Sequence, residues 1–190
     1  MKASDLFVRC LEQEGVEYIF GVPGEENADI MMSLLDSSIE FIVCRHEQGA
    51  AFIADIYGRL TGKPGVCLGT LGPGATNLLT GVADANMDRA PLICLTGQAH
   101  SERQHKESHQ VMDVVAMFRP ITKWSTAIIH PNNIPEIVRK ACKLAVLEKP
   151  GACLIELAED IAEMDATTEP VPVQQTRRPA PADKIVDQAW

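Results

Sequence analysis

The most constraining feature of this sequence is its alternation between short, continuous apolar runs and longer segments with helical periodicity. Strands that are apolar throughout are typical of a sheet buried on both faces. Strands that alternate with helices along a chain form parallel sheets. The sequence therefore predicts a doubly wound α/β domain, with a mainly parallel sheet and helices on both faces. The predicted strands and extended segments read VEYIFGVPG, IEFIVC, GVCLGTL, APLICLTG, ITKWSTAII and GACLIEL.

The ends of two helices can be predicted from their capping residues. Ser4 and Asp5 are N-cap candidates for a first helix, which we expect Gly15 to stop. A second clear helical pattern covers residues 46–60, and Gly62 is a suitable C-cap for it.

A long polar segment from Gln98 to Gln110 follows the fourth predicted strand. Long connections of this kind are usually functional or mobile. It contains His100, His105 and His109, but their spacing matches no standard zinc site. We therefore expect no metal site in this chain.

Charge and cysteine usage exclude several classes of protein. Lys and Arg number 17 against 26 Asp and Glu, so the net charge is −9, which is unsuited to binding nucleic acid. The six cysteines form no CxxC pair and sit in apolar surroundings, as expected of reduced core residues. The N-terminus does not resemble a signal peptide, and no apolar stretch is long enough to span a membrane. We expect a cytoplasmic protein that has no contact with membranes.

The composition changes near the C-terminus and predicts a domain boundary. Residues 1–166 are expected to form the α/β domain, and the Pro-rich residues 167–181 an exposed, semi-rigid linker. Residues 182–190 start an amphipathic helix that is too short to be stable alone. We interpret them as the truncated start of a following domain. The alternative is a domain whose own tail ends in this way.

Three strand-to-helix connections carry candidate functional residues: FGVPGEEN, CRHEQGAA and TLGPGATN. Ligands of open parallel sheets bind at the carboxyl ends of the strands, where these segments fall. Gly72 and Gly74 would allow a ligand close to the backbone before a helix N-terminus. Structural explanations stay open, because GPGATN also suits a tight turn and Glu47 suits any helix N-terminus.

Five segments occur in a specific order: FGVPG, RHEQGAAFIADIYGRLTGKPGV, TLGPGATNLLTGVADA, DRAPLICLTG, and a His-Gln pair followed by FRPITKWS. Together they resemble the N-terminal pyrimidine-binding (PYR) domain of thiamine-diphosphate-dependent enzymes, most closely the acetolactate synthase group. The resemblance covers about Ala3 to Glu163 and implies the PYR-type α/β fold. The Pro-rich link and the ADKI segment after it also resemble the passage to the central domain of those enzymes.

The resemblance gives Glu47 the central catalytic role. In this family the glutamate at its position hydrogen-bonds N1′ of the aminopyrimidine and favours the imino tautomer, whose 4′-imine removes the proton from thiazolium C2. The carbanion attacks pyruvate, carbon dioxide leaves, and the resulting enamine attacks a second 2-keto acid. The protein supplies orientation and electrostatics, while the cofactor supplies the difficult chemistry.

The resemblance also implies further cofactor-binding residues. Gln110 matches a glutamine near the reacting carbon and is the second catalytic candidate, and Lys123 matches a lysine whose role in the group is less defined. The remaining positions line the aminopyrimidine pocket: Val22, Pro23, Gly24, Pro73 and Asn77.

The resemblance implies partners for this domain. Family members hold the diphosphate and its Mg²⁺ on a separate domain with a GDG motif, which this chain lacks. The site lies between subunits, so we expect a homo-oligomer in which this domain faces the diphosphate-binding domain of another subunit. The chain alone is expected to be inactive. FAD is left open, because the pair His109-Gln110 is similar to catabolic acetolactate synthases, which do without FAD, and not to many biosynthetic ones.

Two other functions stay open beside the acetolactate-synthase-like carboligase. The chain could be the PYR subunit of a two-chain 2-keto acid decarboxylase, which a neighbouring gene for the GDG half would favour. It could also be a non-catalytic α/β binding module, although Glu47, Gln110 and GPGATN are all present.

Overall fold

A six-stranded, entirely parallel sheet forms the centre of the molecule. Its strands are β1 (Tyr18–Gly21), β2 (Glu40–Val43), β3 (Gly65–Gly69), β4 (Leu92–Gln98), β5 (Trp124–Ile128) and β6 (Ala152–Ala158). The structure is a computed structural model that describes residues 1–175. The strands β3, β4 and β6 are buried along their whole length. The predicted α/β fold is therefore confirmed. The order of the strands across the sheet is β2-β1-β3-β4-β6-β5.

Helices cover both faces of the sheet and enclose two apolar cores. The helices are α1 (Ala3–Gln13), α2 (Ala28–Leu34), α3 (Glu47–Thr61), α4 (Pro73–Met87), α5 (Val114–Phe118), α6 (Ile134–Val146) and α7 (Glu159–Glu163). The first core lies under α1, α2, α6 and α7, and the second under α3, α4 and α5.

The N-cap prediction for α1 was wrong. The helix begins at Ala3, its N-cap is Lys2, and no side chain caps it. Ser4 and Asp5 lie inside the first turn, where the hydroxyl oxygen of Ser33 on α2 is within hydrogen-bond distance of Ser4 Oγ, at 2.9 Å, and of Asp5 Oδ1, at 2.7 Å. Their polar atoms therefore join two helices, which local sequence cannot reveal.

The predicted helix C-termini are correct. Gly15 follows α1 with a φ of +82°, and Gly62 caps α3 with a φ of +71°, both in the left-handed region that favours glycine. The helix predicted over residues 46–60 corresponds to α3.

At the carboxyl ends of the strands, crevices form where neighbouring strands lead to helices on opposite faces, and two of these crevices hold the residues discussed below. β1 leads to α2 on one face, and its neighbour β3 leads to α4 on the other. In the same way β4 leads to α5, and its neighbour β6 leads to α7. Crevices of this kind are where open α/β sheets bind ligands.

The segment after α7 packs along the domain without forming a helix or strand between residues 166 and 175. Asn132 bonds both the backbone N–H and the hydroxyl of Thr167, and the carbonyl of Val171 accepts from Gln13. The structure describes only residues 167–175 of the predicted linker, residues 167–181. Residues 182–190 lie outside the described part of the chain. The predicted boundaries stay predictions.

No helix within residues 1–175 has both the length and the apolar character needed to cross a membrane.

Candidate functional site

Glu47 is the first residue of α3 and lies at the crevice between β1 and β3. Its helix is capped by His46, whose Nδ1 accepts from the N–H of Gln48 at 3.1 Å. Glu47 is half-buried, and its Oε2 accepts from Nδ2 of Asn77 at 3.0 Å. Among residues 1–175 no hydrogen bond to Oε1 is found. The carboxylate is therefore fixed through one oxygen and free to bind through the other.

The GPGATN turn brings Asn77 to this carboxylate. Gly72 is the N-cap of α4 with a φ of +54°, and Pro73 begins the helix, where its missing N–H is not needed. A Cβ added to Gly74 would lie 2.7 Å from Cγ2 of Thr70 and 3.4 Å from Oε1 of Glu47. Only glycine allows the α4 backbone so close to Thr70 and Glu47 at this point.

The VPG turn after β1 packs directly on the end of β3. The N–H of Val22 donates to the carbonyl of Leu68 at 3.3 Å, which extends the pairing of the two strands. A Cβ on Gly24 would lie 2.8 Å from the Cβ of Thr70, so this turn also needs glycine for its close approach. Pro23 is exposed between them.

Gln110 lies over the GPGATN turn from the other side. It has a φ of +58°, and its side chain is exposed. A Cβ on Gly72 would lie 2.6 Å from the carbonyl oxygen of Gln110 and 2.8 Å from its Cβ. The backbone of Gln110 therefore packs on the cap of α4.

The predicted site residues thus come together at one edge of the sheet, although the roles assigned to them stay predictions. Lys123 lies apart from this group. Its Nζ donates to the carbonyls of Leu144 and Leu147 at the end of α6, and burial lowers its pKa. This arrangement stabilises a helix C-terminus and gives Lys123 no contact with the crevice.

Sequence reasoning missed a second carboxylate at this edge. The hydroxyl of Thr70 donates to Oε2 of Glu26 at 2.7 Å, and Thr70 is the residue that both glycine turns approach. Glu26 therefore fixes the side chain around which the two turns pack. The paired acids in GVPGEEN were the available signal.

It also missed a buried pair in the second crevice. Glu156 on β6 is only 7% exposed, and its Oε2 accepts from Nε2 of Gln98 at 3.0 Å. Burial raises the pKa of Glu156 to about 7, the hydrogen bond from Gln98 lowers it, and the charge of Asp113 adds to the increase. A single acid inside the apolar strand GACLIEL was the available signal.

Comparison with known proteins gives similar relatives for most of the chain. Acetolactate synthase of Bacillus subtilis is 41% identical over 170 residues, which are 90% of this chain and 30% of that protein. The catabolic acetolactate synthase of Raoultella terrigena is 41% identical over 172 residues, or 90% of this chain and 31% of that protein. A chloroplastic acetolactate synthase of Arabidopsis thaliana is 40% identical over 163 residues, 85% of this chain and 24% of that protein. The chain therefore spans less than a third of the length of these curated relatives.

The family comparison covers the part of the chain that contains the site. Residues 1–117 match the family described as "Thiamine pyrophosphate enzyme, N-terminal TPP binding domain". The match extends over more than half of the chain and includes both glycine turns, Glu47, Asn77 and Gln110. The chain therefore belongs to the N-terminal TPP-binding domain family of thiamine pyrophosphate enzymes.

Proposed function

We propose that this chain is the aminopyrimidine-binding part of an acetolactate-synthase-like carboligase that decarboxylates pyruvate and joins the product to a second 2-keto acid. The observation that carries the proposal is the Glu47 carboxylate, held by Asn77 through one oxygen and free at the other. The relatives named acetolactate synthase support the choice of reaction.

The residues at the edge of the sheet fit an aminopyrimidine ring. Oε1 of Glu47 offers an acceptor that can hold a proton at a ring nitrogen, and Asn77 keeps the carboxylate in one orientation. The VPG and GPGATN turns would flank the ring. When bound, thiamine diphosphate supplies the nucleophilic carbon and the electron sink for decarboxylation. Gln110, on the cap of α4, would face the substrate side of the pocket.

The proposal includes a partner that holds the diphosphate. The chain contains no Gly-Asp-Gly run, so we assign Mg²⁺ and the diphosphate to a separate domain, facing this one from another subunit. An apolar stripe on α3 supports such a contact. It consists of Ile53, Ile56 and Leu60, which are 44%, 50% and 82% exposed, at helical spacing.

The finer points of the proposal are a homo-oligomer, pyruvate as first substrate and a cytoplasmic location. All six cysteines are free thiols and five are buried, which supports a reducing compartment. FAD stays open in this proposal, because the pair His109-Gln110 is similar to catabolic acetolactate synthases, which do without FAD, and not to many biosynthetic ones.

The experiment that tests the proposal is Glu47→Gln in the longer protein that contains this domain. The amide keeps the shape of the side chain but cannot hold the ring-nitrogen proton as a carboxylate does. We expect hydrogen–deuterium exchange at C2 of bound thiamine diphosphate, followed by NMR, to fall at least a hundredfold. The control is Gln48→Ala, an exposed change on the same helical turn, which should leave exchange unaltered.

Wild-type exchange in Glu47→Gln would remove Glu47 from the mechanism. The isolated 190-residue chain should form no acetolactate from pyruvate, because the diphosphate anchor is absent from it. Acetolactate formation by the chain alone would contradict the division of the site between two domains. If activity is restored only by a separately encoded chain that contains the GDG motif, the result would support the two-chain alternative.

A further inference from the structure

We propose that Glu156 is a positioning residue for Gln110, acting through Gln98 and the backbone of Met112. The proposal rests on the proposed function, because it concerns the same pocket. It connects the two crevices of the sheet: the carboxyl group lies in the β4/β6 crevice, and the residue it positions lies over the β1/β3 crevice. We call the contacts of Gln98 with Glu156 and with the Met112 carbonyl the amide latch.

Sheet register places the two side chains of the amide latch next to each other. Thr96 on β4 is the direct partner of Glu156 on β6, so the two side chains point to the same face. Gln98 follows two residues after Thr96 and shares that face. This face of the sheet is covered by α4 and α5, and α5 is the α-helix that follows β4 along the chain.

The amide of Gln98 is fixed by three hydrogen bonds. Its Nε2 donates to Oε2 of Glu156 and to the carbonyl of Met112, both at 3.0 Å. Its Oε1 accepts from the N–H of Ala99 at 3.0 Å. A flip would bring the amide oxygen against the Met112 carbonyl and Nε2 against the N–H of Ala99, so at least two of the three bonds would be lost. Glu156 adds the third bond that holds the Gln98 side chain in this position, and Gln98 in turn holds the Met112 carbonyl.

The Met112 carbonyl lies two residues from Gln110, which has an uncommon backbone conformation. A non-glycine residue with φ of +58° persists where its surroundings hold it in place. Gly72 provides the contact on one side, against the carbonyl and Cβ of Gln110. The amide latch provides the anchor on the other side, so the two together fix the approach of Gln110 to the α4 cap.

Packing alone does not account for the carboxyl group of Glu156. The side chain borders a cavity of about 580 Å³, so its volume is not needed to fill a tight core. Its fellow residues on β6 are apolar and buried, and an apolar residue would avoid the cost of burying an acid. What the acid adds is the acceptor for Gln98.

The first test uses the 190-residue chain and needs no cofactor. Amide hydrogen exchange of Ala99, Val111 and Val114 is measured by NMR in the wild type, Glu156→Leu and Glu156→Gln. We expect exchange at least tenfold faster in Glu156→Leu, which has no acceptor, and close to wild type in Glu156→Gln, whose amide oxygen still accepts from Gln98. The matched control is Leu154→Ala, on the same strand and face, which weakens the core but leaves the amide latch intact.

The proposal is overturned if Glu156→Leu leaves these three amides unchanged, or if Leu154→Ala accelerates them equally. The second outcome would mean that exchange reports general loss of stability. Neither result bears on thiamine diphosphate, so the failure of this proposal can be distinguished from the failure of the proposed function.

The second test is a double-mutant cycle in the longer protein. Glu156→Leu and Gln110→Ala are each expected to lower kcat for acetolactate formation. If Glu156 acts through Gln110, the double variant should be no slower than Gln110→Ala, to within about twofold. Multiplicative losses would show that Glu156 affects turnover by another route and would overturn the proposal.

Discussion

Asn77 holds Glu47 in place with a single hydrogen bond across two helices, and this contact can be tested on the isolated chain. In Asn77→Asp the amide donor becomes a second carboxylate about 3 Å away. Two such carboxylates cannot both ionise without a penalty. The variant should therefore be less stable than wild type by about 1–2 kcal/mol at pH 8, and by much less at pH 4, where one of the acids is protonated.

Urea unfolding at the two pH values measures this difference. Thr80→Asp, an exposed change on the same helix, is the control and should show little dependence on pH. Equal stability losses for Asn77→Asp at pH 4 and pH 8 would mean that residue 77 and Glu47 are not in electrostatic contact.

A second prediction concerns the effect of Glu156 on how the stability of the chain depends on pH. Its pKa is raised from 4.5 to about 7 in the folded chain, chiefly by burial, with a further increase from Asp113. The protonated carboxyl group of Glu156 therefore contributes fully to the stability of the folded chain below about pH 4.5, and this contribution is lost as the pH rises through 7. This increase in the pKa of Glu156 corresponds to about 3 kcal/mol of unfolding free energy. Arg119 and His105 also line the adjoining cavity and belong to the same electrostatic surroundings.

Glu156→Gln has no ionisable group at this position, so it should lack that loss of stability. We expect the difference in unfolding free energy between the wild type and this variant to change in favour of the variant between pH 5 and pH 8. Chemical denaturation across that range measures it. Parallel pH profiles for the two proteins would show that Glu156 titrates as an ordinary exposed acid does.

Some residues of the candidate site could be predicted from the sequence and others could not, and the difference depends on how far apart the partners lie along the chain. Glu47 and the glycine turns are contiguous motifs, so their spacing along the chain carries the signal. Glu156 and Gln98 are 58 residues apart and meet only through the pairing of β4 with β6. No local pattern contains that pairing, and the acid in an apolar strand marks only one of the two partners.

At the level of elements, α3 and α4 must pack closely enough for Asn77 to reach Glu47. A Cβ on Gly81 would lie 2.6 Å from the Cβ of Ala51, so the helices approach closely at that point. The pair is also joined by Arg59, which binds Asp84 and Asp88. The small side chains on the facing surfaces therefore help to set the geometry of the site one turn away.

Gly81→Ala and Gly49→Ala form a matched pair of variants that tests this packing. Each variant adds a methyl group to a helix, and the higher helix propensity of alanine should raise the free energy of unfolding by up to about 1 kcal/mol. At Gly49 nothing lies within 4 Å of the new Cβ, so we expect a stabilised chain. At Gly81 the overpacking should outweigh the gain and destabilise the chain by about 1–3 kcal/mol. Thermal unfolding compares the two, and equal effects would contradict the close approach of α3 and α4.

The order and type of most elements could be predicted from the sequence, but their contacts could not. The wrong N-cap of α1 illustrates this, since Ser4 and Asp5 have the residue types of caps yet bind Ser33 of another helix. α7 was not predicted, because five residues carry too little periodicity to be recognised. In both cases tertiary packing determines what the local sequence leaves undecided.

Considered as a whole molecule, the chain exposes the apolar stripe of α3 to solvent. Leu60 is 82% exposed, which favours association through this surface. We expect the isolated chain to self-associate as its concentration rises, and Leu60→Lys to weaken that association at least tenfold without loss of helix content. Sedimentation velocity measures the association, and circular dichroism monitors the fold.

Leu35→Lys is the control for this prediction. Leu35 follows α2 and is 74% exposed, but it lies on the other face of the sheet. A similar weakening by both variants would show that association is non-specific. A chain that stays monomeric at all concentrations would mean that the stripe of α3 needs a different partner.

The uniform direction of the six strands has a practical consequence for protein engineering. Every connection that carries the proposed chemistry leaves from one rim, while the turns at the opposite rim, such as residues 62–64 and 148–151, only return the chain to the sheet. A peptide tag or a reporter domain inserted at Lys63, which is exposed, would therefore stand a full strand length from Glu47. The same insertion at residues 71–74 would separate the GPGATN turn from Thr70.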